Sequence, residues 1–179
     1  MRITISGPPG SGKTTVCDKL SSKLGMKAVV FGKIFREIAE ERGITLSELG
    51  KIAESDFSID RMIDTRIIQI AKDNDNIILE SRLAAYMLKR NDIPAFCVYL
   101  NASPDVRVRR IGLRENETFD KALENTMARQ ESEEKRYMMY YGIDINDTSV
   151  YDIVINTDGL SPDETVDEIL AAMEVKGCL

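Results

Sequence analysis

The chain has 179 residues, of which 43% are hydrophobic and 30% charged, so its composition predicts a single globular domain with its own core. Its 24 basic and 30 acidic residues leave a net charge of −6, which argues against duplex nucleic acid as the main partner. The absence of histidine excludes His-ligated zinc, a Ser-His-Asp triad and imidazole acid–base catalysis.

Cysteine usage and hydropathy bear on the compartment. Cys17, Cys97 and Cys178 lie far apart and form no CxxC pair, which is typical of a reducing environment. We find no signal-peptide pattern at the start of the chain and no apolar run of membrane-spanning length. We therefore expect a cytoplasmic protein without a membrane partner.

The first third of the chain begins with alternating strand and helix. Arg2–Ser6 is rich in β-branched residues and predicts a short strand, after which a Gly/Pro-rich loop follows. Lys13–Leu24 predicts a helix because its apolar residues recur at helical spacing, and Gly25 suits the C-terminal cap. Lys27–Phe31 predicts the second strand.

Three helices are predicted before the third strand. They cover Lys33–Arg42, Thr45–Glu54 and Ile59–Lys72, and Gly43 separates the first two. A run of Asp and Asn residues then predicts a turn. Ile77–Glu80 is apolar up to its final acid, as a buried parallel strand is.

The second half of the chain continues the alternation. Strands are predicted at Ala95–Leu100 and Tyr151–Ile155. Helices are predicted at Leu83–Lys89, Asp105–Leu113, Phe119–Tyr137 and Pro162–Glu174. This order predicts an α/β fold of three layers, in which a five-stranded parallel sheet carries helices on both faces.

Two polar helical segments do not fit such a sandwich. They are Lys33–Asp60 and Leu113–Tyr141, and both are candidate moving lids. We expect one domain, with a core of residues 1–32, 61–112 and 142–179. Residues 33–60 and 113–141 are then the attached segments.

The loop after the first strand carries the strongest chemical signal. Its residues match the pattern G-x-x-x-x-G-K-[ST] and lie between a predicted strand and a predicted helix. Backbone N–H groups and the helix N-terminus can then surround a phosphate chain, while Lys13 reaches the β- and γ-phosphates and Thr14 ligates Mg²⁺. ATP is expected on Gly7, Pro8, Pro9, Gly10, Ser11, Gly12, Lys13, Thr14 and Thr15.

Other classes of protein that carry this phosphate loop agree less well with the sequence. We find no N-K-x-D guanine motif and no D-x-x-G switch, which a signalling GTPase requires. Motor and transporter ATPases usually need a longer chain and a strand that ends in Asp, whereas this strand ends in Glu80. Small-molecule kinases remain.

The arginines indicate a second anion. Four arginines fall close together, namely Arg107, Arg109, Arg110 and Arg114. A further pair, Arg129 and Arg136, is seven residues apart and therefore lies on one face of the next helix. Guanidinium groups bind phosphate oxygens bidentately. An acceptor that is already a phosphate monoester needs no catalytic base, which agrees with the absence of histidine, although an Asp could still act as a base.

At this point the sequence resembles the archaeal-type cytidylate kinases, within the adenylate kinase-like P-loop superfamily. The resemblance covers nearly the whole chain and depends on the order and spacing of short motifs. The motifs are Gly7–Thr15, Phe35–Ala39, Ser58–Asp60, Glu80–Ala84, Pro104–Arg107, Arg129–Tyr137 and Tyr151–Thr157. It implies a P-loop kinase fold and the reaction ATP + CMP ⇌ ADP + CDP, with dCMP as a second acceptor and Mg²⁺ as the metal.

The resemblance also implies roles for residues outside the loop. Arg36 and Arg82 match arginines that hold the acceptor phosphate, and Glu133 matches an acid that contacts the acceptor nucleoside. Asp60 is a further candidate contact for the cytidine. Glu80 matches the acid that orients Mg²⁺ through water, although the usual superfamily residue is Asp.

Four more arginines are assigned in the same way. Arg129 and Arg136 match lid arginines that close over the reacting phosphates and are counted, with Lys13 and Arg82, as catalytic. Arg107 and Arg110 resemble the pair that flanks the donor adenine and its phosphates, where Arg107 would stack on the base.

The chain departs from the bacterial cytidylate kinases in two places. The bacterial acceptor-binding insert is a small sheet, but Gly43–Asp60 is short and predicted helical. The bacterial lid carries additional arginines where this chain has Ser132 and Glu134. Residues that read the base are therefore not transferable from that branch.

Two alternatives remain open from the sequence. The acceptor could be AMP, UMP or a small non-nucleotide acid, or the protein could bind ATP as a regulatory switch without turnover. We expect ATP and CMP or dCMP as partners, no nucleic acid and no obligate protein partner.

Overall fold

The computed structural model describes residues 1–178 and places five strands in one parallel sheet. The order across the sheet is β2-β3-β1-β4-β5, and every neighbouring pair is parallel. This confirms the predicted α/β class and the five-stranded parallel sheet. The strands are β1 (Arg2–Ser6), β2 (Lys27–Val30), β3 (Ile77–Glu80), β4 (Phe96–Asn101) and β5 (Ile153–Asn156).

Residues 1–178 also form eight helices, each near a predicted position. Their N-terminal caps include the capping boxes at Thr45 with Glu48 and at Ser161 with Glu164. The helices are α1 (Lys13–Leu24), α2 (Phe31–Glu41), α3 (Leu46–Ala53), α4 (Phe57–Asp73), α5 (Ala84–Arg90), α6 (Pro104–Glu115), α7 (Phe119–Tyr141) and α8 (Pro162–Val175).

Helices cover both faces of the sheet, as predicted. On one face, α1 and α8 bury Leu20 and Ile169 against Ile3 and Ile5 of β1. On the other face, helices α4 and α5 and the end of α7 pack on Ile77 and Leu79 of β3, with Ile67, Leu88 and Tyr137 among the buried contacts. Strands buried on both faces must be apolar throughout, which explains their continuous apolar sequences.

The strand register positions the phosphate loop. β1 lies between β3 and β4, and Ile5 is level with Glu80 on one side and with Val98 on the other. The loop that follows β1 therefore begins beside Glu80, at the carboxyl edge of the sheet. Open parallel sheets bind their ligands at this edge.

Two helical segments extend beyond the sheet and have small cores of their own. Ala39, Leu49, Ala53 and Ile59 pack together and join α2, α3 and α4. Val108, Ile111 and Ala122 join α6 to the first turn of α7. These clusters explain how short polar helices remain ordered outside the main core.

The C-terminal half of α7 packs against α3 and α4. Tyr140 donates to the Ala53 carbonyl at 2.5 Å, and Tyr141 donates to Asp64 at 2.5 Å. Both rings also pack on Phe57, with centroids 4.5 and 5.4 Å away. The predicted helix ended too early, at Tyr137, because these contacts are made between elements distant in sequence.

One strand is shorter than predicted for a similar reason. Phe31 was expected in the second strand but begins α2, and its side chain is buried. β2 pairs with β3 only as far as Val30 opposite Glu80, where β3 ends. Beyond that point the backbone has no neighbour to pair with and turns into a helix.

Among residues 1–178, no helix is both long and apolar enough to cross a bilayer.

Candidate active site

The phosphate loop between β1 and α1 requires glycine at two close approaches. Gly7 has φ +148°, and a Cβ there would lie 2.0 Å from the Leu100 carbonyl oxygen. Gly10 has φ +82°, and its Cβ would lie 2.6 Å from the Arg107 carbonyl oxygen. The loop therefore rests directly on the end of β4 and on α6, with its backbone turned toward the N-terminus of α1.

Lys13 is the first residue of α1 and reaches back over this loop. Its ammonium group donates to the Pro8 carbonyl at 2.9 Å. The pKa of Lys13 is lowered to about 7, mainly by burial; Glu80 opposes this shift, and the charges of Arg82 and Arg129 contribute to it. A phosphate chain on the loop would supply the negative charge that stabilises the charged form of this lysine.

Thr14 and Glu80 bring oxygen ligands beside the loop. The Thr14 hydroxyl donates to Glu80 Oε2 at 3.0 Å, and Glu80 is buried at the end of β3. A hydroxyl and a carboxylate suit Mg²⁺, which prefers oxygen ligands and keeps several waters or phosphate oxygens. In the described part of the chain, no cluster of three or more acidic, Cys or His residues offers a closed metal cage. The donor set thus fits a metal that arrives with its nucleotide.

A cluster of arginines lies across from the loop, in what we call the reaction cleft. This cleft is lined on its phosphate side by Lys13, Arg36, Arg82, Arg114 and Arg129. Burial lowers the pKa of Arg36, and the charges of Arg114 and Arg129 lower it further. Several cations that repel one another around one cavity mark a site for anions.

Glu133 on α7 holds two of these arginines in place. It accepts from Arg82 Nε at 2.7 Å and from Arg129 Nε at 3.0 Å. Burial would raise the pKa of Glu133, but Arg82, Arg129 and Arg136 outweigh it and lower this pKa to about 2. Within residues 1–178, the terminal Nη groups of Arg82 and Arg129 make no hydrogen bond. These groups remain available to an anion in the cleft.

The inner end of the reaction cleft is formed by buried residues of α4 and α7. Arg136 donates to Asp60 through Nε at 2.7 Å and through Nη2 at 3.3 Å, and its Nη1 donates to Ser132 at 2.8 Å. Asp60 and Arg136 are almost fully buried, and Arg136 also lies over the Phe35 ring. In this structure Arg136 therefore binds α7 to α4, unlike the more accessible Arg129.

A second cavity, the donor cleft, lies on the other side of the phosphate loop. Its lining includes Gly12, Thr15, Arg110, Thr157 and Pro162. Arg110 donates to the Gly10 carbonyl at 3.3 Å and to the Thr157 carbonyl at 2.9 Å. A nucleoside attached to phosphates on the loop can extend into this cavity.

Arg107 is placed differently from the sequence-based expectation. It is buried, lines neither cleft, and donates to the Pro9 carbonyl at 3.2 Å. Its backbone supports Gly10 from behind. The structure therefore does not place Arg107 where it could stack on a base, because its helix is used to support the loop.

The structure gathers most of the predicted residues at these two clefts. Eleven predicted residues lie together in the reaction cleft, and four others are in the donor cleft, while Gly7, Pro8 and Arg107 line neither. The first group is Pro9, Gly10, Lys13, Thr14, Arg36, Asp60, Glu80, Arg82, Arg129, Glu133 and Arg136, and the second is Ser11, Gly12, Thr15 and Arg110.

Among the lining residues that the sequence analysis did not single out for the site, three bear on its chemistry. Thr157 follows β5 and could have been found by its place after a strand. Asp64 lies one helical turn after Asp60, and that spacing was the available signal. The sequence analysis noted Arg114 as one of the clustered arginines but did not assign it to the site. Its position in the cleft becomes visible only from the packing of α6.

Fold and site together define a P-loop phosphotransferase with one phosphate-binding loop and a separate anion site opposite it. Sequence comparison then identifies the family. The model of the cytidylate kinase-like family matches residues 2–159, and the chain belongs to this family.

Curated relatives and solved structures agree with this result. The chain is 52% identical over 164 residues to a cytidylate kinase of Sulfurisphaera tokodaii, covering 92% of this chain and 90% of the relative. It is 43% identical over 176 residues to a cytidylate kinase of Sulfolobus acidocaldarius, covering 98% and 96% of the two chains. A shikimate kinase structure from Aquifex aeolicus matches with a TM-score of 0.62 at 17% identity, over 99% of this chain and 98% of the other, and shares the fold.

Proposed function

We propose that this protein transfers the γ-phosphoryl group of ATP to CMP, and to dCMP as a second acceptor. The products are ADP and CDP or dCDP. The observation that carries the proposal is the opposition of Lys13, on the phosphate loop, to the unengaged guanidinium ends of Arg82 and Arg129 in one cleft. Membership of the cytidylate kinase-like family supports it.

ATP occupies the phosphate loop, Gly7–Thr15, with its base and sugar in the donor cleft. Backbone N–H groups at the start of α1 bind the phosphates, and Lys13 exchanges its bond to Pro8 for phosphate oxygens. Arg110 and Thr157 form the wall beside the nucleoside. In this arrangement the terminal phosphoryl group points into the reaction cleft.

Thr14 and the strand-end acid Glu80 would hold Mg²⁺, Thr14 through its hydroxyl oxygen and Glu80 through water. The bound ion would neutralise negative charge on the phosphates. In this structure the Thr14 hydroxyl donates a hydrogen bond to Glu80, which places both oxygen ligands beside the loop.

The acceptor phosphate binds to Arg36 and Arg82. One of its ionised oxygens attacks the γ-phosphorus, and the β–γ bridging oxygen leaves with the bonding electrons as part of ADP. No proton has to be removed from the attacking oxygen. Catalysis by the protein is therefore alignment and charge neutralisation, by Lys13, Arg82 and Arg129.

Glu133 acts mainly as a positioning residue in this mechanism. Both of its oxygens accept from arginine Nε groups, so it orients Arg82 and Arg129 toward the phosphates. Because Glu133 also lines the cleft, its remaining lone pairs can accept a hydroxyl of the acceptor sugar.

The decisive experiment measures ADP formation from Mg·ATP with AMP, GMP, UMP, CMP and dCMP in turn. We expect turnover with CMP and dCMP only. Another preferred monophosphate would replace the proposed acceptor. ATP binding with no turnover on any of the five would contradict the proposal and favour a non-nucleotide acceptor or the switch.

A further inference from the structure

The inner end of the reaction cleft is less positive than its phosphate side. The phosphate side presents Lys13, Arg36, Arg82 and Arg129, two of which are paired with Glu133. The inner end presents the acid Asp64 and the ion pair between Asp60 and Arg136. A nucleotide placed in this field must direct its phosphate to the arginines and its base to the acids. The base therefore occupies the inner end of the cleft.

The walls of the inner end suit a flat heterocycle. Phe31 and Phe35 of α2, Ile63 of α4 and Tyr137 of α7 contribute apolar or aromatic surface to the same cavity. Aromatic rings stack on bases regardless of their identity. Discrimination between bases must therefore come from the polar groups.

The two acids differ in how their oxygens are engaged. Both oxygens of Asp60 accept from Arg136, so each of them already has a partner. Asp64 Oδ2 accepts from the Tyr141 hydroxyl at 2.5 Å, whereas Oδ1 makes no hydrogen bond within residues 1–178. Asp64 is 94% buried as a residue yet lines the cleft, so its Oδ1 is an acceptor open to a donor there.

The family-based proposal supplies a ligand with a suitable donor. Cytosine carries an amino group at C4, whereas uracil carries a carbonyl oxygen at that position. An acceptor on the protein binds the amino group and repels the carbonyl oxygen. A site built to bind a substrate N–H rejects the analogue that lacks it, because its buried polar group is then left without a partner.

We propose that Asp64 reads the acceptor base by accepting a hydrogen bond from the 4-amino group of cytosine, with Tyr141 positioning its carboxylate. This assignment rests on the proposed CMP kinase activity. It gives Asp64 a specificity role in the proposed phosphoryl transfer. It also explains why α7 continues to Tyr141, one helical turn beyond its last contact with the cleft at Tyr137.

The charges around Asp64 are consistent with this role. The pKa of Asp64 is raised to about 7, mainly by burial; the hydrogen bond from Tyr141 and the charge of Arg136 oppose this rise, and the charge of Asp60 contributes to it. A carboxyl group that is difficult to ionise when the cleft holds only water gains most from a donor that stabilises its charged form.

The test compares CMP and UMP as acceptors in the wild type and in Asp64→Asn. In the variant, Tyr141 still donates, now to the amide oxygen, which turns the amide NH₂ toward the base. The expected result is a fall in kcat/KM for CMP of at least about tenfold and a rise for UMP, in line with one base-reading contact. Asp73→Asn, which changes an exposed acid at the end of the same helix, is the matched control.

Two further measurements keep the inference testable if Asp64→Asn folds poorly. Wild-type enzyme should use the ribonucleotide of 2-pyrimidinone, which has no 4-amino group, at least about tenfold less efficiently than CMP. Tyr141→Phe should lower the ratio of CMP to UMP efficiency without changing the KM for ATP, whereas Tyr140→Phe should change neither.

The outcomes separate this inference from the proposed function. A folded Asp64→Asn enzyme with the wild-type ratio of CMP to UMP efficiency would overturn the role of Asp64. Equal use of CMP and the 2-pyrimidinone ribonucleotide by the wild type would overturn it as well. A wild type that ignores CMP but phosphorylates another acceptor would instead contradict the proposed function.

Discussion

Glu133 shows how one residue organises the reaction cleft. Its carboxylate accepts hydrogen bonds from the Nε–H groups of two arginines. One is Arg82, which follows β3, and the other is Arg129, which lies on the same helix as Glu133. The paired carboxylate offsets part of the positive charge of the cluster without occupying the terminal nitrogens that bind phosphate. A cation cluster can thus be assembled before any anion arrives.

We expect Glu133→Gln to lose this organisation. KM for CMP should rise about tenfold or more, because hydrogen bonds to charged groups contribute about 1.5–3 kcal/mol each. Steady-state kinetics with varied CMP checks the effect, and Glu131→Gln, at an exposed neighbour, is the control. An unchanged KM would show that Arg82 and Arg129 are oriented by other contacts.

The same variant should change how stability depends on pH. The pKa of Glu133 falls from an ordinary 4.5 to about 2, so its carboxylate stabilises the fold fully above 4.5 and loses that effect as pH falls toward 2. Thermal unfolding should show that the wild type is more stable than Glu133→Gln near neutral pH. This difference in stability should become smaller below about pH 4.5. A difference in stability that does not depend on pH would contradict the ion pairs of Glu133 with Arg82 and Arg129.

Lys13 provides the matching prediction on the donor side. Lys13→Ala should lose at least about 100-fold in kcat, because a major charge partner of the transferred phosphoryl group is removed. Lys19→Ala, on the same helix and paired with the exposed Asp163, should retain wild-type turnover. Near-normal turnover in Lys13→Ala would contradict the assignment of the loop.

At the scale of elements, α3 and α7 approach closely at a glycine. A Cβ on Gly50 would lie 3.2 Å from Ser132 Oγ and 3.6 Å from Arg136 Nη1. These are the groups that connect Arg136 to its neighbours at the inner end of the cleft. A larger residue at position 50 would therefore displace a helix and disturb a buried ion pair together.

We expect Gly50→Val to destabilise the protein by about 1–3 kcal/mol through overpacking and to raise the KM for CMP. Lys51→Val, at the next and exposed position of α3, reports the helix-propensity effect of valine alone. Thermal unfolding and CMP kinetics check both variants. Equal stability of the two would show that α3 can move away from α7 at little cost.

The elements were largely predictable, and the reasons for the exceptions are physical. Strands such as Ile77–Glu80 and the loop Gly7–Thr15 are encoded by local patterns, so their places and order could be predicted. The extension of α7 to Tyr141 and the position of Arg107 depend on contacts between distant segments. Asp64 was not predicted as a site residue because its contact with Tyr141 joins segments that only the fold brings together.

At the scale of the whole molecule, the two predicted lids are not independent bodies. Residues 33–60 touch the second half of α7 through Tyr140, Lys135 and Arg136, which contact Ala53, Glu54 and Asp60. The first half of α7 instead joins α6 through Val108, Ile111 and Ala122. We propose that the moving part of the lid is limited to the region before Arg129.

Hydrogen exchange can test this division. An analogue that joins adenosine and cytidine through a polyphosphate chain should slow amide exchange in residues 113–128, whereas residues 130–141 should be protected already without it. The free protein and the protein with ATP alone are the controls. A uniform change along all of α7 would contradict a hinge within this helix.

The ion pair between Arg136 and Asp60 has a consequence for the energetics of substrate binding. One helix, α7, is held at the inner end of the reaction cleft by this ion pair and carries Arg129 on the phosphate side of the same cleft. A nucleotide that shifts α7 at either place changes the position offered to the other nucleotide. Linkage is reciprocal, so the factor by which CMP changes the affinity for ATP must equal the factor by which ATP changes the affinity for CMP. The two substrates are then recognised as a pair, with a shared coupling free energy.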